Sequence, residues 1–165
     1  MNNKVEQDIW NWITEYVEVE NEFYNYKFPP CPYAKSARLK GLVDVIAYDS
    51  GSPFKFIKYQ VTNLIEHKKF NIKVMAFPIR MRWYFHLHFM INRLNKYLVL
   101  QDFYIQYGKT DEYFVVIANK LSDVIEGHTS LLKTDYYKNW SSRHYNNVVD
   151  RRKKHIEIKG RHVKL

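Results

Sequence analysis

The sequence predicts an α+β fold: a four-stranded sheet covered by helices, with a ferredoxin-like arrangement as the candidate topology. Three observations carry this. Apolar residues recur at helical spacing in several segments, and those segments alternate with short β-type runs such as LVDVIAY and IKVMAF. Two further runs, FYIQY and YFVVIA, flank a short polar linker, as the arms of a hairpin do. The chain has 165 residues, 46% of them hydrophobic and 17% aromatic, enough for one domain with its own core. Residues 1–165 read as a single domain, with 143–165 as a basic C-terminal segment.

Val5 to Val19 places Val5, Ile9, Trp12, Ile13, Tyr16 and Val17 on one helical stripe. Residues 20–30 are polar, then aromatic, then stopped by prolines, which predicts a loop. Pro32 to Lys40 reads as a short helix with proline at its first position and Gly41 as its stop. Leu42 to Tyr48 is the first strand. Ser52 as N-cap and Pro53 as the first helical residue start a helix that runs to about Lys68. Ile72 to Phe77 is the second strand, closed by Pro78.

The segment from Trp83 to Leu98 fits two periods. Tyr84, Leu87, Ile91, Leu94 and Leu98 are spaced for a helix, while Trp83, Phe85, Leu87 and Phe89 alternate as a strand does. Its length favours a helix. Phe103–Tyr107 and Tyr113–Ala118 form the hairpin, and Leu121–Lys133 and Asp135–Arg152 are the last two helices. No internal repeat or low-complexity segment interrupts the order.

Composition narrows the function. The net charge is +9, which favours anionic partners such as nucleic acid, anionic lipid or anionic small molecules. The last 23 residues carry eight Lys/Arg against Asp150 and Glu157, two thirds of the excess. One cysteine forbids an internal disulfide and suits a reducing, cytoplasmic setting. No apolar run reaches the ~18 residues of a membrane span, and the first residues do not read as a signal peptide. Abundant Asn, Lys, Ile and Tyr suggest an AT-rich genome such as that of a bacteriophage. No phosphate-cradling glycine loop or G-x-S-x-G elbow is present.

The stretch FPPCPYAK places Cys31 just ahead of the helix that Pro32 starts. Free N–H groups and the dipole at a helix start favour a thiolate. Lys35 and Arg38 follow within two turns. Cys31 is therefore a candidate catalytic nucleophile or thiol switch, with Lys35 and Arg38 as anion-binding partners. The alternative for the same thiol is packing, since free cysteine is among the most buried residues. A glutaredoxin-type site needs a strand directly before the cysteine, and here a loop precedes it.

Trp12-Ile13, Cys31-Pro32-Tyr33-Ala34-Lys35, Gly41-Leu42-Val43 and Asp49 together resemble a poorly characterised bacterial family. That family carries a domain of unknown function with an L-C-P-F-A signature. The resemblance spans about residues 10–107 and implies the same element order, with the Cys-Pro corner as a family feature. It implies no established reaction. The family's F-H-P motif after the third strand is replaced by Ile105-Gln106-Tyr107-Gly108, and its N-R-S-P motif near the end is missing. If those motifs carry the family's activity, this chain has lost it.

His86 and His88 share a face only on a strand, and two histidines fall short of a zinc site. No metal or cofactor is expected. Arg151, Arg152, Lys153 and Lys154 form a basic run beside Trp140, which belongs to the aromatic cluster Tyr136, Tyr137 and Trp140. Lys and Arg interleaved with aromatic rings is the pattern of single-strand nucleic-acid binding. A solvated helix face and a packed aromatic core account for the same residues. Arg80-Met81-Arg82-Trp83-Tyr84 is a second mixture of arginine and aromatics. Two function classes follow. One is a small enzyme or accessory factor acting through Cys31. The other is a nucleic-acid or polyanion binder acting through Arg151–Lys154 and Trp140. A structural or interaction module is the third and needs only the core.

Overall fold

Strands β1 (Val43–Ala47), β2 (Ile72–Pro78), β3 (Phe103–Lys109) and β4 (Tyr113–Lys120) form one mixed sheet in the order β1-β2-β4-β3. The computed structural model describes residues 2–67, 69–79 and 84–162. β1 runs parallel to β2, while β4 is antiparallel to both β2 and β3. The α+β class and the four-stranded sheet match the sequence reading. The ferredoxin-like candidate does not, because it requires antiparallel neighbours. The sequence joins β1 to β2 through a full helix, and that crossover lets the two strands lie side by side in parallel.

Helices α1 (Asn2–Trp12), α2 (Ala34–Leu39), α3 (Pro53–His67), α4 (Tyr84–Leu98), α5 (Leu121–Leu131), α6 (Ser142–Tyr145) and α7 (Arg151–His162) surround the sheet. Side chains alternate across a strand, so β2 divides its run between two cores. Met75 and Phe77 face α3 and α4, together with Ile57, Val61, Leu64, Ile91, Ile105, Phe114 and Val116. Val74 and Ala76 face α1, together with Ile9, Ile13, Val45 and Val115. With apolar partners on both faces, β2 has no polar side to show, which is why IKVMAF is nearly continuous in apolar residues. A smaller cluster of Val99, Tyr104 and Leu121, with Ile125 and Ile158 against it, fastens the C-terminal helices to β3.

Local signals explain most element ends. Ser52 caps α3: its carbonyl accepts from the Phe56 amide at 3.0 Å. Gly41 stops α2 with φ +66, a left-handed conformation glycine adopts without a Cβ penalty. The ambiguous 84–98 segment is helical, as its length suggested, so His86 and His88 lie on α4 rather than on one face of a strand. The Arg80–Trp83 mixture lies outside the described residues.

The predicted helix over Asp135–Arg152 is broken. Asp135–Tyr137 is a single 3-10 turn capped by Thr134, whose hydroxyl accepts from the Tyr136 amide at 3.2 Å. The chain restarts at Ser141, whose hydroxyl accepts from the His144 amide at 3.2 Å. A π-helical turn over Asn146–Asp150 then leads into α7. A π turn holds an extra residue, which rotates everything after it by roughly 100°. The basic run therefore meets the sheet at an angle that the 3.6 period does not give.

Candidate functional site

The N-terminal loop and the C-terminal segment, far apart in sequence, meet at one corner. The Tyr136 hydroxyl donates to the Pro30 carbonyl. Tyr24 stacks on Tyr136 with ring centroids 4.6 Å apart. Asn139 Nδ2 donates to the Phe23 carbonyl at 2.6 Å. Tyr33 donates to the Gly127 carbonyl at 3.2 Å, its ring lying where a Cβ on Gly127 would stand. The two sequence-predicted sites thus share a neighbourhood.

Cys31 is not the cap of a helix. The residue before α2 is Tyr33, and α2 is only six residues long, too short for a strong dipole. The Cys31 amide donates to Val17 at 3.1 Å, and its carbonyl accepts from Ala34 at 3.1 Å. Burial pushes the thiol pKa up. The amides of Tyr33 and Ala34 and the Arg152 charge pull it down without overcoming that. The expectation of a lowered thiol pKa is therefore corrected: enclosure outweighs the nearby donors.

The two cations assigned to Cys31 are placed differently. Arg38 spends its guanidinium on Glu18, in a bidentate pair with both contacts at 2.8 Å. Its fork already holds a carboxylate of the protein itself, so it is not free for an external anion. Lys35 stands exposed on α2.

Arg152 points inward. Its Nη2 donates to Gln106 Oε1 at 3.2 Å, and its Nε is buried without a partner. Its charge reaches Cys31, Tyr104, His128 and Tyr137. His128 is 5% exposed, bonded through Nδ1 to the Tyr137 hydroxyl at 2.8 Å, with Nε2 enclosed and unpartnered. Burial, then the Arg152 and Lys153 charges, hold the His128 pKa below its ordinary value. Trp140 is half-buried, 4.9 Å from the Tyr137 ring and 4.3 Å from that of His144, with its indole N–H enclosed. The aromatic cluster is mainly packing, and Trp140 is not an open stacking platform.

Arg151 departs from its neighbours. With His144 and Asn147 it lines a cleft of about 270 Å³. The opposite wall comes from α4 (Asn92, Asn95) and β3 (Gln106, Tyr107). Lys153 and Lys154, two and three residues further along α7, are exposed. Sequence reasoning missed Asn92, Gln106, His144 and Asn147. Nothing in their spacing marks them, because four separate elements bring them together: α4, β3, α6 and the π turn.

Among the described residues, no group of three or more His, Cys, Asp or Glu gathers as a metal site, and no helix is long and apolar enough to cross a membrane. No protein-family model matches the chain, and neither a curated protein nor a solved structure does.

Proposed function

We propose that this protein binds nucleic acid as a single strand through the outer face of α7 and the cleft at its start. One observation supports this above all: Lys153 and Lys154 are exposed on the first turn of α7, the turn that begins with Arg151, which together with His144 walls a cleft. The +9 charge, concentrated toward this end of the chain, supplies long-range attraction for phosphates. Binding of this kind is led by phosphate contacts and weakly selective for sequence. The lone Cys31 suits a cytoplasmic setting.

Anisotropy of a labelled oligothymidylate tests the proposal. Log Kd should rise with log salt by about 0.7 per phosphate neutralised. Lys153→Ala with Lys154→Ala should weaken binding and flatten that dependence by about 1.4. Both side chains are exposed, so the fold is not disturbed. No binding at low salt, or binding indifferent to salt, ends this reading. Arg152→Ala is a poor probe, since its side chain is partly built into the interior.

The second reading, a thiol site at Cys31, is favoured by the two amides and the Arg152 charge directed at the sulfur. Iodoacetamide separates it from packing. With burial dominant, native Cys31 should alkylate far more slowly than in the unfolded chain, with its pH midpoint above the ordinary thiol range. Fast native alkylation that levels off below pH ~7 would restore the thiol as a chemical site.

A further inference from the structure

The cleft has a composition more selective than a basic surface requires. We propose that it is a pocket for one nucleotide unit, with the base edge against the amides of Asn92, Gln106 and Asn147 and the phosphate at Arg151 and His144. This rests on the strand-binding reading above. The amides argue for a base, because each offers a donor and an acceptor, as base edges do. Gln106 is preset: its Oε1 accepts from Arg152 at 3.2 Å, which leaves its NH2 group to donate. Arg152 is thus a positioning residue for Gln106 rather than a phosphate contact. Asn95 lines the same wall but takes no part, because both ends of its amide are bonded to Ile105, at 2.8 and 2.7 Å.

Size points the same way. A volume of about 270 Å³ lies just below the ~300–1,000 Å³ of pockets for drug-sized ligands. One base with its phosphate suits that volume, and a stacked pair does not. A single guanidinium and one imidazole suit a monophosphate better than a polyphosphate. Half-buried Tyr107 and Val148 also line the cleft and offer a surface to the flat face of a base. Such a unit comes either from within a strand or as a free nucleoside monophosphate.

Two titrations on the intact protein distinguish these sources, one with labelled ten-residue oligothymidylate and one with the four nucleoside monophosphates. Asn92 and Asn147 are exposed, so Asn92→Leu and Asn147→Leu retain the fold, which a thermal melt checks. Each should weaken binding about fivefold, the loss of one net hydrogen bond, and leave the salt slope unchanged. Strand binding that Lys153→Ala with Lys154→Ala weakens but neither asparagine variant changes would overturn the pocket and leave the strand reading standing. Monophosphate binding weakened by the asparagine variants, with no strand binding, would support the pocket and end the strand reading. Binding of neither probe overturns both.

Discussion

Replacing Asp44 with alanine should destabilise the protein by about 3 kcal/mol, more than replacing its partner Lys73 with methionine. Lys73 is 3% exposed on β2, with Asp44 opposite it on β1. Its ammonium sits 3.0 Å from Asp44 Oδ2 and donates to Gln60 Oε1 at 3.1 Å and Asn63 Oδ1 at 3.3 Å. Removing Asp44 leaves a buried cation with two neutral acceptors, which do not replace the lost charge. Lys73→Met removes the buried charge itself and leaves Asp44, whose side chain is 30% exposed, to water. That exposure places the Asp44→Ala loss at the lower end of the ~3–5 kcal/mol seen for broken buried pairs. For a chain of this length the melting temperature should fall by roughly 6–12 °C. Urea unfolding of both variants decides the matter. An Asp44→Ala loss equal to or smaller than that of Lys73→Met would show that the ammonium is solvated in the native state.

Asn95→Ala should cost about 2–4 kcal/mol, because it strips two backbone groups at once. β3 ends the sheet, and its outward edge would expose Ile105 N–H and C=O to α4. Asn95, buried on α4, fills the role of a missing strand: its Nδ2 donates to the Ile105 carbonyl, and its Oδ1 accepts from the Ile105 amide. Helix α4 covers this edge and keeps water away, so neither group has a replacement partner. Hydrogen exchange of the Ile105 amide should accelerate in the variant while amides of β2 follow global stability. Unchanged Ile105 protection together with a loss under about 0.5 kcal/mol would remove Asn95 from this role.

Much of the fold was legible in the sequence. Ser52 and Pro53 marked the start of α3, Gly41 marked the end of α2, and alternating or continuous apolar runs marked the strands. These signals act within a few residues, through caps, φ preferences and side-chain period. The basic run at Arg151–Lys154 was legible as charge, but its division was not: Arg152 turns inward to Gln106 while Lys153 and Lys154 face outward. The π turn ahead of it sets that rotation. Arg38 read as an anion-binding cation, and only the approach of Glu18, just past the π-helical turn Ile13–Val17 that follows α1, shows its fork to be occupied.

By itself the sequence determined an α+β domain, a positively charged C-terminal end, and a lone thiol in a proline-bounded loop. Composition and short-range periodicity suffice for each. Only the tertiary structure decided that β1 and β2 pair in parallel, that the Cys31 thiol is raised rather than lowered in pKa, and that Trp140 packs. It alone assembled a cleft from α4, β3 and the segment around α6. Strand order depends on which faces find mutual burial, and a thiol's pKa depends on whether distant segments exclude water from it. Both are contacts between residues separated by tens to more than a hundred positions, and no local pattern encodes them.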